Sequence, residues 1–238
     1  MINNYPIVNI YEKNSLKSKL SSQILFGEKF KILSSERGWL KVKTSYDNYI
    51  GFIKKRNFFF KSRKNTHKIS SISASLYRKP SKYYLIKTKL PFCSLISVTD
   101  TNKNFYKFEK YWIKKNDVVP ISYKQKIFRN INMFKNIPYK WGGKTYKGID
   151  CSALVQLFFK FNNLYCPRDT KDQIKYFKKE KKIKKGAIIF WKGHVAICIS
   201  KIKLIHAYGP KKRVILMNIK KTLKLIENTT KLKVIGIR

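Results

Sequence analysis

Near Ser122 the hydrophobic rhythm of this chain changes period, and that change is the strongest constraint on what it folds into. Before it, apolar and polar residues alternate in short runs: Ile7 to Tyr11, Lys29 to Leu33, Trp39 to Lys43 and Tyr49 to Ile53, with Asn, Ser, Gly or Asp at the breaks. A period of two sends one face of an extended strand into a core. After it, Leu154, Leu157, Phe158 and Phe161 fall on one stripe at helical spacing, so Ser152 to Phe161 reads as a helix. Ala187 to Trp191, Val195 to Ile199 and Leu204 to Ala207 then read as strands. Helices followed by an antiparallel sheet make an α+β layout.

The first half repeats itself weakly. Ser75-Leu76-Tyr77 echoes Asn9-Ile10-Tyr11, Leu95 to Val98 echoes the second strand, and Tyr111-Trp112-Ile113 echoes the strand ending the first unit. Two small β-barrels of about 60 residues each fit this better than one large sheet. The expected domains are therefore 1–60, 61–122 and 123–238, with the basic segment Lys61 to Lys68 joining the barrels. Tyr123 to Lys135 reads as an entry helix with Ile127, Ile131 and Phe134 on one side. Lys178 to Lys185 reads as a solvated connection, and the chain ends in a short helix near Leu223 and a strand at Val234-Ile235.

Composition excludes some classes. Hydrophobic residues make up 43% of the 238, a globular balance rather than a disordered one. No apolar run approaches the roughly 18 residues that a membrane span needs. The start, Met1 to Pro6, lacks a basic, apolar leader, so the expected setting is cytoplasmic, or exported if a signal lies upstream. The net charge of +42 attracts polyanions, but only 8 of the 54 basic residues are Arg and they are scattered. Readers of base edges lean on bidentate Arg, so no specific nucleic-acid partner is expected. The four cysteines form no C-x-x-C pair and no zinc spacing; neither metal, cofactor nor disulfide is required.

The chemistry concentrates in Pro138-Tyr139-Lys140-Trp141-Gly142-Gly143 and Gly148-Ile149-Asp150-Cys151-Ser152. Cys151 enters a helix from a glycine-rich turn, where unpaired N–H groups and the helix dipole favour a thiolate and could hold an oxyanion. The alternative is a buried core cysteine on the stripe of Leu154 and Phe158. Only three histidines exist, and two, His194 and His206, follow Cys151. They share a sheet face only if the hairpin between their strands holds an odd number of residues. His194 would then take the thiol proton while His206 orients its ring. A zinc pair is the competing use, without a good third ligand.

These pieces, with Arg168-Asp169-Thr170, Gly186 to Trp191, His194-Val195 and Leu204 to Ala207, resemble the NlpC/p60 family of cell-wall cysteine peptidases. The first half resembles the paired bacterial SH3-like domains of its γ-D-glutamyl-L-diamino acid endopeptidases. The resemblance implies a papain-like catalytic domain after two SH3-like barrels, with Cys151 as nucleophile, His194 as base, His206 as orienting residue and the Tyr139 hydroxyl near the oxyanion. It implies that Asp150 and Asp169 hold a substrate's N-terminal amine, that Ser152, Trp141 and Thr170 line the same pocket, and that Glu36 and Tyr49 of the first barrel close it. Without the family, helix capping accounts equally for either Asp, core packing for Tyr139 and Trp141, and a barrel surface for Glu36 and Tyr49.

Three positions depart from the family pattern. Ala153 and Ala196 stand where glycines usually follow Cys-Ser and His-Val, and Ala187 replaces the usual Asp after Gly186. The expected reaction is hydrolysis, through a thioester, of the γ-D-glutamyl bond to diaminopimelate or lysine in peptidoglycan-derived peptides during muropeptide recycling. The rivals are an exported wall hydrolase, an acyltransferase or thioesterase on the same scaffold, and a noncatalytic module binding wall polymers or polyanions.

Overall fold

A computed structural model describes residues 1–60 and 64–238, so the start of the joining segment at Lys61 lies outside the described residues. The chain divides into two compact units, Met1–Lys124 and Gln125–Arg238.

In the first unit, β1 (Ile7–Tyr11), β2 (Leu20–Leu25), β3 (Phe30–Glu36), β4 (Trp39–Thr44) and β5 (Ile50–Lys54) form an antiparallel sheet ordered β2-β1-β5-β4-β3. Four of the five match the alternating runs. β2 was not anticipated: it pairs along β1, with Ile7 opposite Leu25 and Val8 opposite Ile24. The inward set, including Val8, Ile10, Ile24, Leu40, Val42 and Ile53, forms one core. Each such side chain contributes about 1.5–3 kcal/mol by leaving water.

The second β-group is made of β6 (His67–Ile69), β7 (Ser73–Tyr77), β8 (Leu85–Pro91), β9 (Leu95–Ile96), β10 (Asp100–Thr101), β11 (Phe105–Phe108), β12 (Tyr111–Lys114) and β13 (Val118–Pro120). They form sheets ordered β10-β11-β12-β7-β8 and β13-β6-β9. Phe26 follows β2 but buries its ring in this second core, beside Phe108. The Leu95 N–H donates to the Phe26 carbonyl at 2.9 Å. Gly27 makes that approach possible: its φ is +78°, and a β-carbon there would meet the Leu95 carbonyl oxygen at 2.2 Å. His67 stays among the barrels, tilted over Tyr106.

The second unit opens with a turn and the two-stranded ribbon β14 (Lys144–Thr145) and β15 (Gly148–Ile149). Helices α1 (Cys151–Phe161) and α2 (Thr170–Tyr176) follow. The sheet comprises β16 (Ile188–Trp191), β17 (His194–Cys198), β18 (Lys203–Tyr208), β19 (Arg213–Asn218) and β20 (Gly236–Ile237), with α3 (Ile219–Thr230) before its last strand. Its order is β19-β18-β17-β16-β20, all antiparallel. Both faces are buried. Ala196 and Cys198 of β17 join a cluster with Ile219 and Ile226 of α3, while Val195 and Ile197 on the opposite face are equally covered.

The entry helix does not form. Tyr123 to Lys135 holds only a 3₁₀ turn at Ile131–Phe134. Phe128 and Asn130 have φ of +65° and +61°, which an α-helix does not accommodate. Ile131 and Phe134 are buried all the same. The terminal strand lies two residues later than expected, while α3 forms around Leu223. No helix among the described residues is long and apolar enough to cross a membrane.

Candidate active site

Asp150 sets the start of α1. It is the N-cap, and its Oδ1 accepts from the Ala153 N–H at 2.8 Å and from the Ser152 hydroxyl at 3.1 Å. Oδ2 accepts from the Gly142 N–H at 2.9 Å, so the Gly142-Gly143 turn wraps the carboxylate. Gly143 has no room for a side chain: a β-carbon would lie 2.4 Å from the Gly148 carbonyl oxygen. Arg168 then grips both carboxylate oxygens, Nη2 to Oδ2 at 2.6 Å and Nη1 to Oδ1 at 3.1 Å, and Nη1 also donates to Ser152 Oγ at 2.8 Å. Gln173 Nε2 donates to the Ser152 carbonyl at 2.9 Å and the Pro167 carbonyl at 2.9 Å. This buried network ties the N-terminal turns of α1 and α2 together.

Asp150 and Ser152, both expected to contact substrate, are buried and bond to Arg168, so each has a structural role in fixing the start of α1. An acidic N-cap beside a buried guanidinium finds its partner inside the protein. The pairing was missed, although its signal was present: Arg168 is one of 8 Arg among 46 Lys, the residue suited to a bidentate carboxylate.

Asp169 is different. It caps α2, yet its side chain makes no capping bond. It is half-buried; burial raises its carboxyl above the ordinary range, opposed by the neighbouring Arg168 charge. Thr170 beside it is half-exposed. Trp141 is 60% exposed, so core packing does not account for it. In the first unit, Glu36 is exposed at the end of β3 beside Arg37, and Tyr49 packs on the first barrel core.

Cys151 is the first residue of α1 and 7% exposed. The Val195 and Ser152 backbone N–H groups and the Arg168 charge favour its thiolate, but burial and the Asp150 carboxylate outweigh them and push the thiol up to about 12. The expected lowering of the thiol by the helix N-terminus is overturned by desolvation. The bond to Val195 matters for position, because Val195 follows His194. Tyr139 lies close enough that the Cys151 charge acts on its phenol. Its ring packs on Gly209, and burial raises its hydroxyl, which stays a protonated donor.

Cys198 pairs with Leu204, so an odd number of residues, 199–203, separates the paired positions and His194 and His206 share a face. His194 Nε2 lies 2.9 Å from His206 Nδ1. Trp191 and Tyr208 flank the pair, Tyr208 stacking on His206 at 4.7 Å and 11°. Burial lowers His194 to about 4; burial and then His194 lower His206 to about 3. Thiol and imidazoles are thus neutral at rest. Ala196, opposite-strand neighbour of Ile189, is buried in the sheet cluster, and Ala153 in α1; neither methyl reaches open space. No metal-binding cluster of His, Cys, Asp and Glu occurs among the described residues.

Comparisons with known proteins bear on the domains and the fold. Residues 136–230 match the NlpC/P60 family and residues 10–57 the bacterial dipeptidyl-peptidase SH3 domain. The gamma-D-glutamyl-L-lysine dipeptidyl-peptidase of Bacillus subtilis (strain 168) is 26% identical over 234 residues, covering 86% of this chain and 77% of that protein. Dipeptidyl-peptidase 6 of Lysinibacillus sphaericus is 25% identical over 230 residues, covering 84% of each. The crystal structure of an NlpC/P60 family protein from Bacillus cereus ATCC 10987 has the same fold, with a TM-score of 0.85 over 100% of this chain and 98% of that one at 18% identity. Residues 136–230 are thus an NlpC/P60 domain, of a cysteine peptidase and hydrolase family and of α+β fold, and an N-terminal bacterial SH3-like domain precedes it.

Proposed function

We propose that this peptidase cleaves the γ-D-glutamyl bond to a diamino acid, lysine or diaminopimelate, in short peptidoglycan-derived peptides that have a free N-terminal amine, as a step in their recycling. The observation that carries the reading is the contrast within one site: Cys151 hydrogen-bonded to the amide next to His194, and an uncapped, half-buried Asp169 on the adjoining helix. In a chain with 12 acidic residues against 54 basic ones, that carboxylate suits an ammonium group. The relatives named for γ-D-glutamyl-L-lysine cleavage support the bond.

Cys151 Sγ attacks the γ-carbonyl carbon while its proton passes to His194. Nε2 of His194 faces His206, so Nδ1 is the nitrogen left for the thiol. The protonated Tyr139 hydroxyl donates to the oxyanion. His194 then returns the proton to the leaving amine, and a thioester remains. Water, deprotonated by His194, releases the glutamyl carboxylate and restores the thiol. A neutral resting pair means that proton transfer accompanies attack rather than preceding it.

The test incubates purified protein with L-Ala-γ-D-Glu-L-Lys, its diaminopimelate counterpart and their N-acetylated forms. Release of L-Ala-D-Glu from the free peptides, weak release from the acetylated ones, and loss of turnover by roughly 10⁴-fold or more in Cys151→Ala are expected. Absence of cleavage of both free peptides, or activity surviving in Cys151→Ala, overturns the reading.

A further inference from the structure

The face that carries the two histidines holds no carboxylate partner for them. Burial acts on His194, and burial and His194 act on His206; no acidic group among the described residues contributes to either. A histidine that orients a catalytic base still needs its own tautomer set, and a carboxylate, a carbonyl or water ordinarily does this through the second ring nitrogen. Here the atom at that nitrogen is a thioether. His206 Nε2 lies 3.5 Å from Met217 Sδ.

Strand register explains the contact. His206 on β18 pairs with Ile215 on β19, and Leu204 pairs with Met217, so Met217 sits one diagonal step from His206 on the same face. Met217 also packs against the buried cluster formed by Trp191, Tyr208 and Ile219, which holds its flexible side chain. Sulfur here is an acceptor only. The contact therefore favours a proton on His206 Nε2, which leaves Nδ1 as an acceptor. The 2.9 Å bond from His194 is then donated by His194 Nε2–H, and Nδ1 of His194 carries the lone pair. One weak acceptor thus orders two rings in series.

We propose that Met217 is a positioning residue of the peptidase, its thioether holding the His206 tautomer that keeps His194 Nδ1 basic toward Cys151. This rests on the roles given above to His194 and His206. Tyr208, stacked flat on His206, fixes the ring plane but offers no acceptor in the plane of the nitrogens, so it does not replace Met217.

Nitrogen NMR on the whole ¹⁵N-labelled protein reads the tautomer directly, and steady-state kinetics read its consequence. In the wild type, His206 is expected to be protonated at Nε2. Met217→Leu keeps the volume and removes the acceptor; it should lose the single tautomer and lower kcat roughly two- to tenfold at unchanged KM and unchanged thermal midpoint. Met217→Gln supplies a carbonyl acceptor and should restore the tautomer and most of the turnover. A wild-type His206 protonated at Nδ1 overturns the proposal. So does a Met217→Leu protein with wild-type spectrum and kcat. Should the Leu variant fail to fold, the wild-type spectrum and the Gln variant decide. Failure of the underlying site reading shows separately, as turnover surviving in His194→Ala, and leaves the His206 spectrum as an independent result.

Discussion

Asp150 and Asp169 occupy the same station on two helices of one unit, the N-cap, and differ in almost everything else. Asp150 receives the Gly142 and Ala153 amides, the Ser152 hydroxyl and both ends of a buried guanidinium. Asp169 caps α2 without a side-chain bond, and burial raises its carboxyl. A helix N-terminus attracts a carboxylate in either case. The difference lies in Arg168, whose guanidinium grips both oxygens of the first. One carboxylate is fixed for structure; its neighbour is left charged, partly desolvated and open. That pairing is what a site needs when a rigid nucleophile must meet a mobile cationic substrate.

Breaking the clamp is the harshest test of the comparison. Asp150→Ala leaves Arg168 buried without its counter-charge and removes the α1 cap, and we expect a loss of about 3–5 kcal/mol in urea denaturation, with activity falling in proportion to the folded protein's loss of Cys151 alignment. Arg168→Met alone should cost a similar amount, because it strands the carboxylate. The double variant Asp150→Ala, Arg168→Met should recover part of both losses, since no buried charge is then unpaired. If Asp150→Ala unfolds at the wild-type urea midpoint, the clamp is not structural and the contrast with Asp169 fails.

Removing the other carboxylate should leave the fold and change the substrate. Asp169→Asn is expected to lower kcat/KM by roughly 10- to 100-fold for peptides with a free N-terminal amine, the size of one lost charge-assisted contact. Acetylated peptides, which carry no ammonium, should show no difference between wild type and variant. An equal loss on both peptide types would make Asp169 a structural cap like Asp150.

Much of this unit could be read from the residues alone. The Gly-Gly turn before Cys151, the apolar stripe of α1 and the strands at 188, 194 and 203 follow from local pattern, and the odd spacing between paired positions satisfied the parity condition for the two histidines. What local pattern missed was decided at a distance. Asp150 as ligand and Asp150 as clamp look identical until Arg168, 18 residues on, is placed against it. α2 buries only Gln173 and so shows no apolar stripe. The reverse error occurred at Tyr123 to Lys135, where apolar residues at helical spacing reach the core through left-handed turns at Phe128 and Asn130. In the barrels, period two found β1, β3, β4 and β5, whereas β2 carries Ser21, Ser22 and Gln23 and draws its place from pairing with β1. The thiol went the same way: a helix N-terminus is visible in sequence, but the burial that outweighs it is not.

The smallest expected effect is also the one that separates the two carboxylates by sign. Asp169 has a folded-state pKa above its unfolded value, so at neutral pH its charge opposes folding slightly, and that cost is relieved as pH falls through the folded pKa. Asp169→Asn should therefore be as stable as the wild type or more so at neutral pH, by no more than about 0.5 kcal/mol. The advantage should shrink as pH is lowered toward the ordinary carboxylate value of 3.8 and Asp169 takes up its proton. Paired urea titrations of variant and wild type across that range cancel the contribution of the histidines, which both proteins share. Removing Asp150, buried against Arg168, costs stability at neutral pH instead. Asp169→Asn losing stability at neutral pH would mean that the carboxylate is held by the fold after all, and the open half of the comparison would close.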